Sequence, residues 1–353
     1  LIVSKSQNHL FSLPAPDLTH ILHQAQADLE ALRGKSLFIT GGTGFFGKWL
    51  LAGLLFGNDE LGLDLKLTVL SRNPARFQRE FPEEANRANL RFLAGDVASF
   101  PKENRRFDYL IHAAADTTAF TSDADEQNRS NTIVAGTRRM LELAQRSGAQ
   151  RMLNISSGAV YGASAGRLSG AKEDDFASSR ALTPYGEAKR EAERLCEESG
   201  LDFVTARAFA FLGPYLPLDA HFAAGNFLRD ALRGGPILVR GDGTALRSYL
   251  HPADLVVWLL RILVRGQRAR AYNVGSDEAV TTAQLARRIA AAAAGPGTQP
   301  TSEVIIQSVQ PPGPQNIYLP NVARARAELN LNVAIPLDDA IARTLKFLQS
   351  SRS

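Results

Sequence analysis

A short apolar run, Ser36-Leu37-Phe38-Ile39, leads directly into Thr40-Gly41-Gly42-Thr43-Gly44-Phe45-Phe46-Gly47, and a helical apolar pattern follows from Phe46 to about Phe56. A strand, a glycine-rich turn and a helix in that order constrain the fold more than any other feature of the chain. The turn lets backbone N–H groups approach a diphosphate, and the helix N-terminus adds a partial positive charge. Gly41, Gly44 and Gly47 supply close approach and tight packing, with Thr43, Phe45 and Phe46 between them, so the segment reads as a dinucleotide site rather than a plain strand-to-helix turn.

The rest of the chain repeats the alternation. Residues 65–70, 89–94, 109–112, 151–155 and 203–206 are short apolar runs of strand character, and helical spacing separates most of them, most clearly over 130–147 and 184–199. Strands alternating with helices predict an α/β fold with a Rossmann-type, doubly wound parallel sheet. Apolar positions at Leu18, Ile21, Leu22, Ala25, Leu29 and Leu32 predict a leading helix packed outside that sheet. After Gly213-Pro214-Tyr215-Leu216-Pro217 the pattern breaks into shorter elements, among them 236–240, 254–265 and 285–294. The expected organisation is an N-terminal helical extension (1–33), a dinucleotide-binding domain (34–212, with later chain crossings) and a smaller, mainly substrate-binding lobe (213–353).

The 353 residues suffice for such an arrangement, and 44% hydrophobic with 22% charged residues is an ordinary globular balance. The net charge of +4 comes from scattered Lys and Arg, without a run dense enough for a nucleic-acid surface; it suits an anionic small molecule. No apolar stretch reaches the ~20 residues that span a bilayer. The single Cys196 excludes an internal disulfide framework and a cysteine metal site, and points to a reducing cytoplasm. Residues 1–16 lack the order of a secretory signal, and the start at Leu1 leaves a preceding targeting segment open.

The end of the second strand selects the dinucleotide. An acidic residue there would hold a ribose 2′-hydroxyl and favour NAD(H). The chain instead has Ser71-Arg72-Asn73, and an Arg can stack on adenine and pair with a 2′-phosphate, so NADP(H) is favoured and NAD(H) is the alternative. Asp96, followed by Val97, can accept from the adenine amino group or cap the next segment; Ala113, Ala114 and Ala115 let the chain pass close beneath a cofactor. His112 reads as a structural histidine at a strand end.

Tyr185 and Lys189 lie one helical turn apart and share a face. A free phenol is a poor base at neutral pH, but a neighbouring ammonium favours the phenolate, so Tyr185 can exchange a proton with an alcohol or carbonyl oxygen while hydride moves to or from nicotinamide. Ser157, at the end of the fifth strand, is placed to hydrogen-bond the reacting oxygen; Ser156 is the alternative, facing cofactor or core.

The ordered set Gly41-x-x-Gly44-x-x-Gly47, Asp96-Val97, His112-x-Ala114-Ala115, Ser156-Ser157-x-x-Val160-Tyr161-Gly162, Tyr185-x-x-x-Lys189, Arg207, Gly213-Pro214, Arg247-Ser248-Tyr249 with Asp254, and Tyr272-Asn273-Val274-Gly275 resembles the extended short-chain dehydrogenase/reductases, in the nucleotide-sugar epimerase/dehydratase group. The resemblance spans about residues 36–332. It implies a sugar-nucleotide substrate held in the second lobe, with Arg247 on phosphate, Asn226 as the substrate-phosphate asparagine (or a helix N-cap), and Asp116, Thr117 and Ser157 near the sugar. Family habit also implies a homodimer through the helices at 130–147 and 184–199.

Departures from the pattern narrow the reaction. The family's 4,6-dehydratases carry an Asp-Glu pair after the fifth-strand Ser or Thr, and its sugar-acid decarboxylases keep a glutamate there; this chain has Gly158 and Ala159, neither of which is an acid or a base. Hydride transfer at a carbinol or ketone remains. Exchangeable NADPH suits net reduction of a 4-keto sugar, and the alternative is 4-epimerisation on a retained cofactor. A silent NADPH-binding regulator is disfavoured because Ser157, Tyr185 and Lys189 are all present. The run Gln310-Pro311-Pro312-Gly313-Pro314-Gln315-Asn316 lacks the arginine many relatives place there, leaving phosphate to Arg240 or Arg247, and Asn131 is irregularly spaced for the family asparagine.

Overall fold

The computed structural model describes residues 10–114, 123–162, 168–177, 182–220, 222–295, 302–308 and 316–350. Its strands in chain order are β1 (Ser36–Thr40), β2 (Lys66–Ser71), β3 (Leu90–Ala94), β4 (Tyr109–His112), β5 (Arg151–Ser157), β6 (Phe203–Ala208), β7 (Ile237–Val239), β8 (Leu246–Arg247), β9 (Arg270–Val274), β10 (Val280–Thr281), β11 (Val304–Ile306) and β12 (Ile317–Tyr318). The helices are α1 (Ala15–Glu30), α2 (Phe45–Leu61), α3 (Pro74–Glu80), α4 (Pro82–Ala85), α5 (Asp123–Ser147), α6 (Pro184–Glu198), α7 (Ala223–Leu232), α8 (Pro252–Arg265), α9 (Thr282–Ala294), α10 (Ala323–Leu329) and α11 (Leu337–Ser350).

Seven parallel strands form one sheet in the order β3-β2-β1-β4-β5-β6-β9. The order reverses beside β1, the place where a doubly wound sheet opens a crevice at its carboxyl edge. Register aligns that edge: Thr40 pairs with Leu70 and His112, and Ser157 with Ala208. Strand interiors are apolar because both faces are covered; Leu37, Phe38, Ile39, Leu110, Ile111 and Leu153 are fully buried.

The expected doubly wound sheet is therefore present, with two later crossings. β9 adds a seventh strand beside β6, and α8 packs against the sheet and α2. The leading helix α1 lies outside this layer, against α2 and α8. Close approach is possible because α2 presents glycines there. A Cβ on Gly53 would meet Val256 Cγ1 at 2.8 Å and Ile21 Cγ2 at 3.1 Å, and one on Gly57 would meet Leu29 Cδ1 at 2.7 Å. Ion pairs seal the contact: fully buried Asp28 takes Arg261 (3.0 Å) and Arg265, Asp17 takes Arg343, and His20 Nε2 lies 2.7 Å from Asp254 Oδ1. Asp254 Oδ2 also accepts the Ala334 and Ile335 N–H groups, so it ties α8 to the approach of α11.

On the opposite face α5 and α6 run side by side. Beyond the sheet, β8 pairs with β10 (antiparallel) and β12 (parallel), and β7 pairs with β11. No helix among the described residues is long and apolar enough to cross a membrane.

Candidate active site

The glycine turn sits at the carboxyl end of β1. Gly41 has φ +73°, and a Cβ there would lie 2.6 Å from Ala113 O, so the residue needs both the left-handed conformation and the missing side chain. Gly47 packs α2 onto the turn. Exposed Gly44 differs, since a Cβ on it would meet only Gly41 O at 3.4 Å. Gly44 is also the N-cap of α2 and makes no side-chain cap hydrogen bond, so the helix begins with N–H groups facing an open surface. That cradle fits a dinucleotide pyrophosphate. Phe46 packs edge-on to Phe211 at 4.7 Å, and Thr43 is half-buried.

Around the turn, β2 ends in buried Ser71 and exposed Arg72. Asn73 is used locally, accepting the Arg76 N–H as the cap of α3. Asp96 Oδ1 accepts the Ala98 N–H at 2.9 Å, so one of its oxygens caps the following turn. Val97 fills the space against Gly136. Ala113 and Ala114 continue β4 past the turn, and the Ala114 N–H donates to Thr40 Oγ1. Ala115, Asp116 and Thr117 lie outside the described residues, as do 310–315.

His112 is structural, as expected from its position. Thr137 Oγ1 donates to Ile133 O and therefore accepts from His112 Nε2 at 3.2 Å; Thr40 Oγ1 then donates to Nδ1 at 2.9 Å. Burial, reinforced by the Lys189 ammonium, pushes the His112 pKa down to about 3, so the ring is neutral.

Ser157 ends β5 and caps the 3-10 turn Gly158–Tyr161, accepting the Ala159 N–H at 3.2 Å. Helix α6 begins against this turn. Thr183 caps it, accepting the Gly186 N–H, and Pro184 occupies its first position. A Cβ on Gly186 would lie 2.7 Å from Ala159 O, so that glycine permits the approach that brings Tyr185 to the end of β5. Arg190 bonds Val160 O at 2.7 Å, one turn further on. Lys189 is buried; its Nζ donates to Ile155 O at 2.9 Å and lies 6.0 Å from the centre of the half-buried Tyr185 ring. Glu193 continues the same face and pairs with buried Arg207 on β6 (2.8 Å), which also donates to Tyr161 Oη and Glu173 O. Tyr161 Oη in turn donates to Asn273 Oδ1 at 2.7 Å. Arg207, Tyr161 and Asn273 thus brace the helix that carries Tyr185 and Lys189.

Two residues not anticipated from the sequence complete the site. A Cβ on Gly158 would meet the Phe209 ring at 2.7 Å and Tyr318 Oη at 2.8 Å. Tyr318 Oη lies 3.5 Å from Ser157 Oγ, and burial pushes its pKa up to about 12. Tyr318 is 161 residues from Ser157 in sequence and carries no local motif, so only the folded chain brings the two together.

In the outer elements, Arg247 on β8 pairs in register with Tyr318, and its guanidinium donates to Leu246 O and Asn316 O. Asn226 is not a helix cap, because Phe222 holds that position in α7; the Asn226 side chain accepts from Arg229 at 3.2 Å. Ser156 Oγ is buried and has no hydrogen-bond partner among the described residues. Asn131 is exposed and bonds Gln127, and Arg240 is exposed. Cys196 is buried, which raises its pKa to about 12 and leaves it an unreactive thiol. No metal-binding cluster occurs among the described residues.

The chain is 26% identical to UDP-glucuronic acid decarboxylase 1 of Xenopus tropicalis over 324 residues, covering 89% of this chain and 72% of the relative. It is 24% identical to dTDP-glucose 4,6-dehydratase of Streptomyces niveus over 331 residues, covering 90% and 94%. The solved UDP-glucose 4-epimerase of Thermotoga maritima, determined with UDP-glucose, superposes with a TM-score of 0.73 at 19% identity over 90% of this chain and all of the other. Residues 37–275 match the family model "NAD dependent epimerase/dehydratase family", and the chain belongs to that family of enzymes.

Proposed function

We propose that the chain is an NADP(H)-dependent oxidoreductase that acts on a nucleoside diphosphate sugar and moves hydride at C4, as a 4-keto-sugar reductase. One observation carries this reading. Beside Ser157, the space that a carboxylate on residue 158 would need is filled by Phe209 and Tyr318. Elimination and decarboxylation lose their acid or base at that place, while the hydroxyl, phenol and ammonium set of Ser157, Tyr185 and Lys189 is intact.

The nicotinamide, when bound, supplies the hydride. In the reductive direction Tyr185 gives its proton to the carbonyl oxygen, and Ser157 donates a hydrogen bond to that same oxygen as it gains charge. Lys189, anchored on Ile155 O, stands 6.0 Å from the centre of the Tyr185 ring, one helical turn along the same face. The α2 N-terminus and Gly44 receive the pyrophosphate, Ser71 and Arg72 the 2′-phosphate, and the second Asp96 oxygen and Val97 the adenine side. Ala113 and Ala114 are assigned to the passage beneath the cofactor. Arg247 and Asn226 are assigned to the substrate phosphates.

A second reading, 4-epimerisation on a retained cofactor, uses the same residues and is favoured by the likeness to the Thermotoga maritima epimerase. We also assign the protein to the cytoplasm and to a homodimer through α5 and α6.

Stoichiometry separates the reactions. With a panel of 4-keto and 4-hydroxy UDP-, dTDP-, GDP- and CDP-sugars, a reductase consumes one NADPH per product. Interconversion without added reductant overturns the reductase assignment in favour of the epimerase. NADH binding equal to or tighter than NADPH overturns the NADP(H) assignment.

A further inference from the structure

Ser157 Oγ has two acceptor lone pairs and one proton. One lone pair takes the Ala159 N–H at 3.2 Å. Ser157 Oγ also lies 3.5 Å from Tyr318 Oη, a contact in which either hydroxyl can donate. Tyr318 is buried, with its pKa pushed up to about 12, so it keeps its proton at neutral pH and is able to be the donor in its contact with Ser157 Oγ. The ring is held by Phe209 (4.8 Å between centroids) and by the β12–β8 pairing that sets Tyr318 opposite Arg247. A side chain on residue 158 would displace this hydroxyl, since a Cβ there would lie 2.8 Å from it.

We propose that Tyr318 is a positioning residue for the reaction: its hydroxyl donates to Ser157 Oγ, saturates the serine's acceptors together with Ala159 N–H, and leaves Ser157 able only to donate to the substrate oxygen. This inference rests on the functional reading above. A serine that is free to rotate divides its proton among several acceptors; one whose lone pairs are both taken is pre-organised as a donor to the oxygen that becomes negative when hydride arrives. The separation of 3.5 Å is long for an O–H···O bond, and such contacts tighten when the substrate complex forms.

The test is a double-mutant cycle on the full chain with Tyr318→Phe, Ser157→Ala and both together. Tyr318→Phe keeps the ring against Phe209, so the fold is retained. In turnover, Tyr318→Phe is expected to lower kcat about 10-fold with KM changed less than about twofold, and Ser157→Ala to lower kcat about 100-fold. The double variant is expected to match Ser157→Ala alone. A product of the two effects, near 1,000-fold, or a Tyr318→Phe enzyme with wild-type kcat, overturns the proposal. A second arm needs no substrate. In urea unfolding of the same four proteins, the two substitutions are expected to be coupled by at least about threefold in the unfolding constant; additivity overturns the pairing. If the wild-type protein turns over no sugar nucleotide while this coupling is present, the functional reading falls and the Ser157–Tyr318 pairing stands.

Discussion

Two glycines three residues apart in the same turn are expected to respond to alanine in opposite ways. At Gly47 a Cβ would lie 2.2 Å from Gly41 O and 2.3 Å from Gly42 Cα. Both obstacles are backbone, so reaching a tolerable 3.0 Å forces the turn and α2 apart by about 0.8 Å. Overpacking of this kind costs about 1–3 kcal/mol, and rigid backbone places it at the upper end. Replacing a helical glycine returns up to about 1 kcal/mol. Gly47→Ala is therefore expected to destabilise by about 2 kcal/mol. At Gly44, φ −85° and ψ −173° are open to any residue, and the added methyl meets only Gly41 O at 3.4 Å. Gly44→Ala is expected to leave stability within about 0.5 kcal/mol of wild type, an ordinary surface value. Its methyl projects into the proposed pyrophosphate cradle, so dinucleotide affinity is expected to fall at least about tenfold, or 1.4 kcal/mol. Urea unfolding and NADPH fluorescence titration read the two quantities separately. A Gly44→Ala protein that binds NADPH as wild type refutes the cradle, and a Gly47→Ala protein as stable as wild type refutes the packing argument.

Tyr185→Phe is expected to lower kcat by at least about 100-fold with NADPH affinity unchanged; intact turnover would remove Tyr185 from the chemistry. Glu193→Leu leaves the Arg207 guanidinium buried without its carboxylate and is expected to cost about 3 kcal/mol in urea unfolding, and a cost below 1 kcal/mol would contradict a bracing role. Burial pushes both His112 and His251 down to about 3, against about 6.5 in an unfolded chain. Between those values the unfolded state binds more protons, so their stability contribution is full above about pH 6.5 and declines on acidification by about 1.4 kcal/mol per pH unit for each histidine. The urea midpoint is expected to fall from pH 7 to pH 5, with a shallower slope in His112→Gln; a midpoint indifferent to that acidification would place both rings in water.

Much of the large sheet was legible because its signals are local. Strand-length apolar runs, the β1 turn glycines and the Thr183-Pro184 cap before Tyr185 each act within a few residues, where steric and hydrogen-bonding rules apply without knowledge of the rest of the chain. Short elements were less legible. β8, β10 and β12 are two residues each, too brief for any period to register, and β9 joins the main sheet only because its edge fits β6. Asn226 could be read as a cap from composition, but its place inside α7 depends on where the helix starts, at Phe222.

The sequence by itself determined the doubly wound architecture, the glycine-rich turn after β1, the one-turn spacing of Tyr185 and Lys189, and the missing acid at Gly158 and Ala159. Tertiary structure alone decided what stands in place of that acid. Phe209 and Tyr318 reach Gly158 from β6's exit and from β12, and the pairing of β12 with β8 sets Tyr318 there. No local rule links residues 161 positions apart; their contact exists because the folded chain brings β12 to the end of β5, and a glycine at 158 leaves room there for a phenol.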